Sequence, residues 1–155
     1  MPGTNDYIGL RIAQFGIRTT APDAGLPATA TSGYDTFTIS GGRIAIIGLI
    51  GEVGTVVQTQ TCNMKIIAKP TGGTAEDLCA VKDITAIEAL GLLGITGLQT
   101  DALFGVASAF APMCIRRQVV GIGTIGVYTS ATNTGTMKWD LFWVPVDDSA
   151  RVTLS

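Results

Sequence analysis

The sequence predicts an all-β chain: a single antiparallel β-sandwich or jelly-roll-like barrel with an extended N-terminal arm. Three observations carry this expectation. Apolar and polar residues alternate over short segments, Gly- and Asn-containing turns separate those segments at roughly 8–15 residues, and threonine is abundant within them. A length of 155 residues suits one domain.

Residues 1 to 35 form the expected arm. Pro22, Gly25, Pro27 and Gly33 keep regular structure short there. The same stretch carries Tyr7, Ile8, Leu10, Ile12, Phe15 and Ile17, too much apolar material for a solvated tail. It is therefore expected to lie on its own core or on a neighbouring subunit, and Tyr7, Leu10, Phe15 and Ile17 are candidate assembly contacts.

The folded domain is expected over residues 36 to 155. Thr36 to Ser40 alternates as a strand, and Gly41-Gly42 supplies a turn that tolerates positive φ. Arg43 to Ile50 is a nearly continuous apolar run, which suggests a strand buried on both faces. Thr55 to Lys69 reads as one long strand ending at Pro70-Thr71-Gly72-Gly73, and Asp77 to Thr85 as a short one. Ala86 to Leu103 has Ile87, Leu90 and Leu93 near helical spacing, but Gly91, Gly94 and Gly97 disfavour a helix. Mixed turns with one helical turn are expected. Strands then resume at Cys114 to Ile122, Thr124 to Ser130 and, after a turn at Thr132 to Gly135, Met137 to Val146. In the last of these Met137, Trp139, Leu141 and Trp143 share one face. Trp139 and Trp143 join the candidate assembly contacts.

Hydrophobic residues make up 46% and charged residues only 14%, where about 25% charged is usual. That surplus of apolar surface points to burial against other chains. Histidine is absent, which removes Ser-His-Asp and Cys-His catalysis and His-ligated zinc. The net charge of −2 offers no broad basic field for nucleic acid. Arg116-Arg117 is the one basic cluster, read as a solvated strand end or an intersubunit ion pair. Mean hydropathy is +0.41, yet Glu52 interrupts Ile44 to Val57 and Asp101 interrupts Ala89 to Ile115. No membrane-spanning helix is expected, and the N-terminal residues lack the pattern of a secretory signal. Cys62, Cys79 and Cys114 sit among apolar neighbours and are expected as buried free thiols, with a Cys62 to Cys79 bridge left open.

Four patterns invite chemistry. Gly121-Ile122-Gly123-Thr124-Ile125-Gly126 matches a dinucleotide-binding fingerprint, but a strand former, not a helix, follows it. Glycines at a strand bend or bulge are expected there, and also at Gly48, Gly51 and Gly54 and at Gly91, Gly94 and Gly97. Asp147 and Asp148 are adjacent and diverge in an extended segment, while Glu52, Glu76 and Glu88 have no identifiable partner, so paired-carboxylate hydrolysis is not expected. Asp6, Asp23 and Asp35 lack the spacing of a calcium loop, and no metal site is assigned. Trp139 and Trp143, with Tyr128 across a hairpin, would form a sugar-stacking platform if exposed, although aromatics on one strand face more often form core.

The stretch from Ala131-Thr132-Asn133-Thr134-Gly135-Thr136-Met137-Lys138-Trp139 to Trp143-Val144-Pro145-Val146-Asp147-Asp148 resembles the end of a family of small tailed-bacteriophage virion proteins. Those chains close with a pattern near S-x-x-N-T-G-x-x-K-W, a strand, and V-P-x-D-D-G-A. Ser40-Gly41-Gly42-Arg43, Leu49 to Val53, Ala68 to Thr74 and Asp77 to Val81 are similar to the middle of that family. The resemblance covers roughly residues 36 to 150. Ser149 stands where the family often has Gly, and residues 1 to 35 match nothing in it. It implies a virion structural protein, and the expectation is a capsid decoration (cement) protein that binds and stabilises the assembled head. The expected partners are further copies of the chain, as a homotrimer, and the major capsid protein. The expected location is the particle exterior after synthesis in the host cytoplasm. The motifs are turns and strand edges, so no cofactor, metal or catalytic residue follows and an enzyme is not expected. A tail- or fibre-associated module recognising carbohydrate or receptor is the other reading.

Overall fold

A computed structural model describes residues 15–26, 33–106, 110–111 and 113–155. Among the described residues twelve strands are present in chain order: β1 (Ile17–Gly25), β2 (Gly33–Ser40), β3 (Ile44–Thr55), β4 (Asn63–Pro70), β5 (Glu76–Asp77), β6 (Lys82–Asp83), β7 (Leu92–Gly94), β8 (Phe104–Val106), β9 (Gln118–Val120), β10 (Gly123–Thr129), β11 (Thr136–Pro145) and β12 (Arg151–Leu154). They form two antiparallel six-stranded sheets, ordered β1-β11-β3-β7-β8 with β9 also on β3, and β12-β2-β10-β4-β5 with β6 also on β4. The fold is the all-β sandwich expected from the alternation.

The core lies between the sheets. Along β11 every second residue is buried, so Met137, Trp139, Leu141 and Trp143 face Phe37 and Ile39 of β2, Met64 and Ile66 of β4, and Ile125 and Val127 of β10 in one cluster. Strand β3 is buried on both faces over Ile44 to Ile47. A bulge makes this possible: Phe142 stands opposite Gly48 but Trp143 opposite Ile46, leaving Ile47 as the extra residue. Ile44 and Ile46 therefore point inward before it, and Leu49 and Val53 after it. Pro22 sits at a second bulge, between Ala21 and Ala24 of edge strand β1, where a missing N–H costs nothing.

Several expectations require correction. Residues 55 to 69 are not one strand; β3 ends at Thr55 in one sheet and β4 begins at Asn63 in the other. The intervening chain crosses between sheets, anchored by Val57 N–H donating to Ile87 O at 3.0 Å. Asp77 to Thr85 resolves into β5 and β6, two short ladders laid end to end along β4. Only Gln118–Val120 of the expected strand at 114 to 122 is paired. The 86 to 103 region contains β7 in place of a helical turn, with Ala86 and Leu90 at positive φ. Gly41 and Gly42 do adopt positive φ, 72° and 157°, but they join β2 to β3 across the sandwich rather than within a hairpin. Of the arm, Ile17–Gly25 pairs with β11 as a regular edge strand; residues 1–14 and 27–32, with Tyr7 and Leu10, lie outside the described residues.

All three cysteines are free, with Cys62 and Cys79 buried. Cys79 has a structural use. In the gap between β5 and β6 the Ile66 N–H donates to Cys79 Sγ at 3.4 Å, and burial pushes the thiol pKa up to about 11. Cys79→Ala strands that buried N–H and is expected to cost about 1–3 kcal/mol. Cys79→Ser keeps an acceptor and is expected to cost less, a difference that urea unfolding of the two variants reads directly.

Candidate interaction surface

The outer face of the β1-β11-β3-β7-β8 sheet carries an apolar surface. Side chains on β11 that point away from the core include Phe142, which stands opposite Gly48. The Met113 side chain lies directly over Gly48. Farther along the sheet Phe104, opposite Gly94 of β7, meets Phe110 edge to face with ring centroids 5.8 Å apart. Phe104, Phe110, Met113 and Ile115 are all exposed, Ile115 at 76%. At the β1 side the face turns polar: Arg18 Nε donates to Asp140 Oδ1 at 3.0 Å, and Thr20 donates to the same carboxylate.

At the sandwich edge formed by β9 and the β4–β5 region lies an open cleft of about 560 Å³. Pro70 and Leu78 form one wall, Val120 the other, and Leu98, Arg116 and Arg117 close one end. Gln118 Nε2 donates to Leu78 O at 3.0 Å and ties the two sheets across it. The glycine motif explains the upper end. After β9 the chain passes through Gly121 and Ile122 into β10, changing sheets, and Thr71 N–H donates to Ile122 O at 2.8 Å. Gly123 there has φ +149°, and a Cβ on it would stand 2.1 Å from Lys69 O. Gly126 falls at a bulge between β10 and β2. The motif is a corner and a bulge, as the strand reading expected.

The carboxylates are structural in placement. Asp147 Oδ1 and Oδ2 accept from the Arg43 guanidinium at 2.8 and 3.0 Å, and Oδ2 also accepts the Arg43 backbone N–H at 2.7 Å. These bonds clamp the start of β3 to the turn before β12. They favour the ionised form and hold the Asp147 pKa down, to about 2 from an ordinary 3.8. Because the folded value is the lower one, the clamp contributes its full stability above about pH 4 and loses it as pH falls towards 2. Asp147→Asn is therefore expected to flatten the acid limb of a melting-temperature profile between those values. Asp35 and Asp77 are likewise engaged, by Lys69 at 2.7 Å and Lys65 at 2.9 Å.

Of the residues expected at assembly contacts, Phe15 is exposed, at 57%, and Ile17 is half-buried opposite Trp143. Trp139 and Trp143 require correction. At 1% and 5% exposure both indoles belong to the core, and neither reaches a partner's surface. The aromatic platform does not form either. Strand β10 pairs with β2 and β4, not with β11, which sends Tyr128 to the opposite sheet, where Lys65 Nζ lies 5.5 Å from its ring centroid. Sequence reasoning missed the Phe104, Phe110, Met113 and Ile115 surface. The available signal was a segment from 102 to 115 holding large apolar residues and no charge.

No family model and no curated protein matches the chain. Among solved structures, a chain in the structure of infectious bursal disease virus, Gx strain, is similar at 13% identity with a TM-score of 0.24. The match covers 89% of this chain and 36% of that one, so this chain spans about a third of the neighbour's length. At that score the likeness carries no argument about function; the sandwich is established by the chain's own strand pairing.

Proposed function

We propose that the protein is a structural component of a tailed-phage particle, a capsid decoration protein that binds and stabilises the assembled head through adhesive contacts without catalysis. The observation that carries this reading is the outer face of Phe104, Phe110, Met113 and Ile115. Several large exposed apolar side chains on a small domain mark a protein contact, and the low charge content has the same cause. The resemblance of residues 36 to 150 to small virion proteins supplies the particle context. In this reading copies of the chain associate as a trimer, and the remaining surface meets the major capsid protein on the particle exterior.

The test is sedimentation. Wild-type protein is expected to run as an oligomer and to co-sediment with expanded capsids, and Phe104→Asp with Phe110→Asp to shift it to monomer while leaving its melting temperature near wild type. A wild-type protein that stays monomeric at high concentration and does not bind expanded capsids would overturn the reading.

A further inference from the structure

We propose that the cleft between β9 and the β4–β5 edge is a docking site for an extended, carboxylate-bearing polypeptide segment of a partner protein, with Arg116 and Arg117 as its carboxylate-binding residues. Three features converge on that occupant. The cleft, at about 560 Å³, lies within the range of about 300–1,000 Å³ typical of ligand sites. Pro70, Leu98 and the exposed Val119 on its lining give the side chains of an extended strand apolar surface to pack on. Strand β9 pairs with β3 on one edge only, so its other edge offers backbone groups for strand addition.

Charge then selects the segment. Arg116 and Arg117 are both exposed at the end of the cleft, and neither belongs to an ion pair among the described residues. In a chain of net charge −2 they form a local positive site. Guanidinium forks pair with carboxylates through two parallel hydrogen bonds. A phosphate backbone is the poorer match, because a chain of net charge −2 supplies no wider basic field for it and the apolar lining gives a nucleic acid nothing to pair with. The inference deepens the decoration reading by naming the chemistry of the partner, and rests on that reading only for where the segment comes from.

The test uses the full chain and a fluorescein-labelled peptide in which valine and threonine alternate with aspartate. Anisotropy is expected to show saturable binding that weakens with added salt, since exposed charge pairs are screened. Arg116→Ala with Arg117→Ala is expected to weaken it by about tenfold or more, the loss expected for a charge-assisted hydrogen bond. Arg116→Glu with Arg117→Glu is expected to reverse the preference towards a peptide carrying lysine in place of aspartate. Amide shifts should cluster on Gln118 to Val120 and on Leu78. No binding of the aspartate peptide, equal binding by the alanine variant, shifts located on another face, or an oligothymidylate that competes equally would each overturn the proposal. Because this assay contains no particles, its failure leaves capsid binding untouched, and loss of capsid binding with peptide binding intact would overturn the decoration reading alone.

Discussion

Trp139→Ala is expected to lower the free energy of unfolding by about 3–5 kcal/mol, a large part of the 5–15 kcal/mol that holds a typical domain together. The indole is 1% exposed and fills the space above Gly51, where an added Cβ would stand 2.7 Å from its Cζ3. Truncation leaves a cavity that two hydrogen-bonded sheets cannot close without moving β11 or β3. Trp139→Phe is expected to cost much less. It retains most of the volume and leaves a far smaller cavity. Urea unfolding followed by the remaining Trp143 fluorescence measures both. A loss below about 1 kcal/mol for the alanine variant would place the packing centre elsewhere.

Gly123→Ala is expected to be strongly destabilising. Its φ of +149° costs any side chain about 1–3 kcal/mol of backbone strain. The new Cβ would also fall 2.1 Å from Lys69 O and 2.7 Å from Pro70 Cα. Both are backbone atoms of the neighbouring strand and cannot yield as a side-chain tip would. Gly121→Ala is the matched control, since nothing lies within 4 Å of a Cβ there, and it is expected to stay within about 0.5 kcal/mol of wild type. Thermal unfolding of the pair separates a corner built on one glycine from a merely glycine-rich segment; equal effects would refute that corner.

The parts of this fold legible in the sequence are those set by local periodicity. The inward face of β11 follows from alternation over Met137 to Trp143, and the two-faced burial of β3 from its unbroken apolar run. Longer-range choices are not written locally. The crossing from β3 to β4 keeps the threonine and glutamine content of a strand, so Thr55 to Lys69 reads as continuous. Strands β5 to β9 take only two or three residues each, and their pairing comes from the edges of β3 and β4 and, for β8, of β7, not from any period of their own. The assignment of β10 to one sheet and β11 to the other separates Tyr128 from the tryptophans, and no turn residue announces it. For the cleft, Arg116-Arg117 stands out by composition. Its lining comes from positions near 70, 78, 98 and 120, and only the fold assembles it.

The long strands alternate between sheets from β1 to β4 and again from β10 to β12: β1, β3 and β11 lie in one, β2, β4, β10 and β12 in the other. Except for β4 with β10, none of them pairs with the next of these strands in sequence. Ile17 meets Trp143, and Ile39 meets both Gly123 and Val152. Distant pairing of this kind makes folding slow, on the scale of milliseconds to seconds. It also delays folding during synthesis, because β1 and β2 gain their partners only when the last third of the chain has been made. The apolar faces of β1 and β2 therefore stay without their partners until β10, β11 and β12 have been made.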